Sequence, residues 1–140
     1  MKYFSDFPFQ PAIQNAIKEL RFETPTPIQA KTIPILLAEN QDIIATAQTG
    51  TGKTAAFGLP SITLTDIKNK TPQTLVLCPT RELCVQIAND LASYSKYIHG
   101  LNVVPIYGGA GVDQQARALK KGTHIIIGTP GRTKDMIRRK

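Results

Sequence analysis

Four short apolar runs rich in β-branched residues punctuate the chain: Asp42 to Ala47, Thr74 to Cys78, Leu101 to Tyr107, and His124 to Gly128. Each is bounded by turn-forming residues and followed by a helical pattern, so each is predicted to be a strand. Ile13, Ile17 and Leu20 recur at i, i+4, i+7, and Leu83, Ile87, Leu91 and Tyr94 at i, i+4, i+8, i+11. Those spacings line up one face of a helix. Strands alternating with helices predict an α/β fold, a parallel sheet with helices on both faces. In such sheets ligands gather beyond the carboxyl ends of the strands, so chemistry is expected on the loops that leave them. The best loop candidate within the chain, Asn69 to Pro72, is too short for a linker, and residues 1–140 read as one domain.

After the first run comes Ala47-Gln48-Thr49-Gly50-Thr51-Gly52-Lys53-Thr54, then residues compatible with a helix. A Gly-rich turn opening a helix aims backbone N–H groups and the positive end of the helix dipole at one point, which suits phosphate. Lys53 is placed to reach the β- and γ-phosphates of ATP, and the Thr54 hydroxyl to hold Mg²⁺. The first position is Ala47 rather than the glycine of the strict P-loop pattern. A plain Gly-rich helix cap is the alternative, and placement between a strand and a helix favours nucleotide binding.

Upstream, Thr26 is predicted to cap a helix with Pro27 at its first position and Gln29 at its third. Gln29 can close a capping box on the Thr26 N–H, and the same amide can pair with the adenine edge; both uses stay open. Phe4, with Phe7 and Phe9 close by, offers a ring to a purine, although an aromatic cluster ahead of a helix is more often core.

Composition narrows the class. Hydrophobic residues make up 41% and charged ones 19%, as in a globular chain. Seventeen Lys and Arg against ten Asp and Glu give +7, a balance that favours polyanionic partners while also fitting a dispersed basic surface. Cys78 and Cys84 have neither metal nor redox spacing and read as structural. No run of eighteen apolar residues and no secretory pattern occurs, so no membrane and a cytoplasmic setting are expected.

Taken in order, these residues resemble the DEAD-box RNA helicase family over essentially the whole chain. Residues 21–29 resemble its Q motif, with Phe4 at the family's distance for an isolated adenine-stacking aromatic, and 47–54 its motif I. Pro79-Thr80-Arg81-Glu82-Leu83 resembles motif Ia, Gly108-Gly109 the glycine doublet, and Thr129-Pro130-Gly131-Arg132 motif Ib. The stretches 103–109 and 115–132 are most similar to bacterial general-purpose or cold-shock members.

The resemblance implies a P-loop NTPase of RecA-like fold using ATP and Mg²⁺, in which Gln29 reads adenine with help from the backbone near Glu23. It also implies that Arg81, Gly109, Thr129 and Arg132 touch RNA phosphates, single-stranded or locally duplex, without base preference. Plain helix capping at Thr80 and Thr129 is the competing reading. Two departures stand out. Arg21 occupies a position where the Q motif usually has Gly, and Thr133-Lys134 replace an apolar pair, which leads to an expectation of a frayed or displaced terminal helix.

The 140 residues contain no D-E-A-D segment, no S-A-T motif and no second RecA-like domain. The expectation is the N-terminal part of a helicase ATP-binding domain. It binds nucleotide and RNA backbone, is inactive in hydrolysis and unwinding by itself, and is marginally stable and prone to self-association through an unpaired strand near Ile43 and Ile44. A stand-alone RNA-binding module and another P-loop enzyme such as a DNA translocase are the alternatives.

Overall fold

A computed structural model describes residues 1–38 and 41–139. A short 3-10 turn at Phe4–Asp6 precedes α1 (Pro11–Glu19), α2 (Pro27–Ala38), α3 (Lys53–Thr63), β1 (Thr74–Leu77), α4 (Arg81–Tyr94), β2 (Val103–Ile106), α5 (Val112–Lys120), β3 (Ile125–Gly128) and α6 (Pro130–Arg139). Three of the four predicted strands form a parallel sheet in the order β1-β3-β2, each followed by a helix. No described helix is long and apolar enough to cross a membrane.

The strand predicted at Asp42 to Ala47 does not form. Residues 41–48 carry no regular structure, and Ile44 is 98% exposed. A strand persists only where a neighbour completes its ladder, and among the described residues none pairs with this segment. Most of it lies exposed rather than buried, so water can satisfy its N–H and C=O groups.

The chain divides into two compact units. The first comprises Met1–Leu64 with Ser93–His99. In it, α2 packs against α3, and Phe4, Phe7, Phe9, Phe22 and Tyr94 form a chain of tilted ring contacts 5.5 to 6.3 Å apart. Ile13 and Ile17 are buried as their spacing predicts, while Leu20, at the end of α1, is exposed. Glu19 accepts hydrogen bonds from Lys96 (2.8 Å) and Tyr97 (2.9 Å), which hold its carboxyl below the usual range.

α1 ends in a paired backbone cap: the Phe22 N–H donates to Ile17 O (3.1 Å) and the Arg21 N–H to Lys18 O (3.0 Å). This closure requires a left-handed residue between them, and Arg21 supplies it at φ 59°. The departure from Gly noted in the sequence therefore falls at a position where a Cβ is costly.

The second unit comprises Thr65–Ala92 and Gly100–Lys140. Its core is β3, where Ile125 and Ile127 are fully buried, together with Ile106, Ile87 and Leu91. Ile125 N–H donates to Asn102 O and Thr129 N–H to Ile106 O, so even-numbered residues of β2 face β3. Pro105 therefore turns its missing N–H away from the ladder, which is how an edge strand tolerates proline. His124, fully buried, accepts the Asn102 N–H at Nδ1 (3.1 Å) and so carries its proton on Nε2, 3.0 Å from Ile67 O.

On α4 the buried stripe runs through Cys84, Ile87, Ala88, Leu91 and Tyr94, and Leu83 is displaced to the exposed side. Both cysteines are buried free thiols. Burial pushes Cys84 up to about 12, which leaves it an uncharged donor 3.0 Å from Ile127 O.

The expectation of a frayed terminal helix is corrected: α6 is continuous from Pro130 to Arg139. Of the two polar substitutions only Thr133 is buried, and Lys134 points to solvent. Helix and strand meet closely here, since a Cβ on Gly128 would collide with the Thr133 hydroxyl, which has no hydrogen-bond partner.

Relieving the left-handed strain gives a direct test. A non-glycine residue in this conformation costs about 1–2 kcal/mol, partly offset by the extra backbone entropy glycine brings to the unfolded chain. Arg21→Gly is expected to stabilise the first unit by about 1 kcal/mol, read as a rise of a few degrees in thermal unfolding. An unchanged or lower melting temperature would refute it.

Candidate functional site

Two sites are built, one in each unit. The first is the loop 47–54. Gly50 and Gly52 both adopt φ 81°, the left-handed conformation that lets the chain turn sharply into α3. Gly52 caps α3, and its carbonyl accepts the Ala56 N–H (3.2 Å). Lys53 Nζ donates back to Ala47 O (2.8 Å) and Thr51 Oγ1 to Gln48 O (2.5 Å), so the loop closes on itself. Gln48, Thr49, Gly50 and Lys53 are exposed, and Thr54 is half-buried in the first turn of α3.

Gln29 is buried, at 4% exposure, and its amide makes two bonds. Oε1 accepts the Thr26 N–H (2.9 Å) and Nε2 donates to Gly52 O (3.0 Å). Half of the predicted capping box is present; the reciprocal half is not, because Thr26 Oγ1 is buried without a partner. Any Cβ at Gly52 would strike the Gln29 amide nitrogen, so glycine is required there twice over. An amide has two N–H groups and two lone pairs, so one of each remains after these bonds.

Phe4 is 3% exposed, its ring 5.7 Å from Phe7 and 5.6 Å from Phe22, and its N–H donates to Glu23 O (2.9 Å). That bond ties the isolated aromatic to the start of the Gln29 motif. A cavity of about 490 Å³ beside it is lined by Tyr3, Phe4, Gln14, Lys18, Phe22 and Glu23, and its lining does not include Gln29.

The second site lies where the three strands of the second unit end. Thr80 caps α4 by accepting the Leu83 N–H at Oγ1 (3.2 Å), and the Thr129 carbonyl accepts the first bond of α6 from Thr133 (3.0 Å). The Arg81 guanidinium lies 5.2 Å from the Tyr107 ring centroid. Gly109, at φ 83°, has Arg81 Nη1 3.4 Å from where its Cβ would be. Arg132 Nη1 donates to Ala110 O (3.2 Å) and Gln115 Oε1 (2.9 Å). Arg81, Gly109, Thr129 and Arg132, chosen from three separate sequence motifs, thus lie on the adjoining loops and first helical turns at one sheet end.

Sequence reasoning passed over Tyr107 and Gln115. Tyr107 was assigned to a strand, and Gln115 lacked any motif, although a polar residue one turn along from Val112 and one before Leu119 on an amphipathic helix carried a signal.

A model of the DEAD/DEAH box helicase family matches residues 26–140. The chain belongs to that family. It is 47% identical over 136 residues to the ATP-dependent RNA helicase DeaD of Mycobacterium tuberculosis, covering 97% of this chain and 24% of that protein. It is 48% identical over 139 residues to the DEAD-box ATP-dependent RNA helicase CshA of Geobacillus kaustophilus, covering 99% and 29%. The crystal structure of a DEAD box protein from the hyperthermophile Methanococcus jannaschii superposes with a TM-score of 0.93 at 40% identity, over 99% of this chain and 38% of that one. The fold is therefore RecA-like, and the chain spans about a quarter of the length of these curated relatives.

Proposed function

We propose that the chain is the ATP-binding and RNA-backbone-binding part of an ATP-dependent RNA helicase working in the cytoplasm. The observation that carries this reading is the bond from the Gln29 amide to Gly52 O, which joins a candidate base-reading group to the phosphate loop. The amide keeps one free N–H and one free lone pair, the complement of adenine N7 and N6. The loop from Ala47 to Thr54 supplies backbone N–H groups, the α3 dipole and the Lys53 ammonium to the phosphates. The resemblance adds Phe4 and the Glu23 backbone to the adenine side, with the Phe4 ring packed as core against Phe7 and Phe22 in this structure.

Mg²⁺ has a hard oxygen donor available in Thr54, the type it prefers. Among the described residues no group of three His, Cys, Asp or Glu is placed to hold a metal, so the ion would rest on the Thr54 hydroxyl together with the nucleotide's own phosphates. Bound there, it would neutralise phosphate charge. The chain's own part is to cradle and orient the nucleotide.

Charge supports RNA as the second ligand. The unit holding Arg81 and Arg132 has eleven Lys and Arg against five Asp and Glu, and the nucleotide unit six against five. The excess thus sits where the motif arginines are. Helix N-termini at Thr80 and Thr129, each followed by an arginine, suit phosphate rather than base edges. The 140-residue chain is read as lacking hydrolysis and unwinding of its own, and its unpaired segment 41–48 and exposed Leu75 and Leu77 on edge strand β1 favour self-association.

Nucleotide competition tests the adenine side. ATP and ADP are expected to outcompete GTP, and Gln29→Ala to weaken adenine nucleotides while leaving GTP nearly unchanged. Lys53→Ala should weaken every triphosphate, since its charge meets phosphate. Equal loss of ATP and GTP on Gln29→Ala would reduce Gln29 to a helix cap.

RNA titrations at several salt concentrations test the other site. Arg81→Ala and Arg132→Ala should each weaken single-stranded RNA of any sequence to a similar degree and flatten the log–log salt slope by about 0.7, one phosphate contact. Losses confined to particular base sequences would show base reading instead.

Turnover is the third measurement. The purified 140-residue chain is expected to show no ATP hydrolysis with or without RNA, and to elute partly as dimers or larger species. RNA-stimulated hydrolysis that persists after removal of host helicases would overturn the first expectation, and a strictly monomeric profile the second.

A further inference from the structure

We infer that Gln115 is a positioning residue for the RNA-phosphate site, one buried amide that sets the placement of both Arg81 and Arg132. The inference rests on the reading of those arginines as phosphate contacts. Gln115 lies in α5, on the side turned inward, and is 8% exposed. Its Oε1 accepts the Tyr107 N–H (3.3 Å) and an Arg132 Nη1 hydrogen (2.9 Å), and its Nε2 donates to Tyr107 O (3.2 Å).

Tyr107 is the residue just past the end of β2. With the ladder finished at Ile106, its backbone N–H and C=O still need partners. One side chain supplies both, as a neighbouring strand would. This holds the backbone that carries the Tyr107 ring, and that ring is the surface on which the Arg81 guanidinium lies, 5.2 Å from its centroid. A guanidinium stacked on an aromatic face loses much of its freedom to wander.

Arg132 is held directly. Both of its bonds, to Gln115 Oε1 and Ala110 O, leave from Nη1. The N–H groups on Nε and Nη2 remain, and they form the fork that fits two oxygens of one phosphate. The two arginines follow different strands, and Gln115 gives them a shared support, through Tyr107 on one side and by direct contact on the other. Groups ordered before the ligand arrives need not be ordered by it, so affinity gains from the arrangement. Gln115 itself is buried and acts through the arginines rather than on RNA.

The test is RNA binding by the 140-residue chain, wild type and variants, across a salt series, with ATP binding measured on the same preparations. Gln115→Met, similar in size but with no donor and only a weak acceptor, is expected to weaken single-stranded RNA by about tenfold, within the range of coupled neighbours. It should flatten the salt slope as Arg132→Ala does and leave ATP affinity unchanged. Combined with Arg132→Ala it should add much less than its separate effect.

Gln115→Glu guards against a variant that fails to fold, because a carboxylate still accepts from Tyr107 and Arg132. Its charge would occupy Arg132 and its second oxygen could no longer donate to Tyr107 O, so RNA binding should be weaker than wild type at neutral pH. Folded variants that bind RNA with the wild-type affinity and salt slope, while Arg132→Ala flattens the slope, would overturn the positioning role alone. An Arg132→Ala chain indistinguishable from wild type would overturn the phosphate reading, and the positioning role with it.

Discussion

β3 is hydrogen-bonded on both sides, to β1 and to β2, in one continuous parallel register. That ladder makes all three strands finish at the same end. Leu77 and Ile106 both align with Gly128, so the loops that follow leave side by side. Arg81, Gly109 and Arg132 are consequences of this alignment: each lies within four residues of the last residue of its strand. Gly128 adds a second constraint, since its missing Cβ admits the Thr133 hydroxyl and lets α6 start against the sheet. The cost is a buried hydroxyl without a partner, of the order of 1–3 kcal/mol.

In the first unit the governing constraint is the turn at Gly50 to Gly52. Two left-handed glycines bring the chain round so that Gly52 both caps α3 and offers its carbonyl to Gln29. The amide that ends one helix start thereby holds another in place. A buried Gln serving two helix N-termini is constrained from both sides, which is why its neighbour position must lack a Cβ.

Motif chemistry and strand positions were legible in the chain because they are local. The Gly-rich loop needs only its own residues to turn, β-branched runs declare β1, β2 and β3, and Thr80 caps α4 from three residues away. The run from Asp42 to Ala47 carries the same local signal and yet forms no strand, because pairing depends on a neighbour that local pattern cannot supply. Leu20 and Leu83 failed similarly: periodicity predicts a face, whereas what packs against the face decides its limits. Thr133 reads as a polar intrusion that should fray or displace the terminal helix until its small side chain is matched to the missing Cβ of Gly128, five residues earlier in the chain.

The sequence by itself determined the family and the α/β class, and it named the residues proposed to meet phosphate, since charge, glycine freedom and hydrogen-bonding type are properties of single residues at short spacing. Only the tertiary structure decided that Gln29 spans to Gly52, that Arg21 pays for a left-handed turn, and that Gln115 reaches Tyr107 and Arg132. These are contacts between backbone and side-chain groups brought together by the sheet register and the helix packing. No periodicity along the chain encodes which buried amide will face which orphaned carbonyl; that depends on where separate elements come to rest.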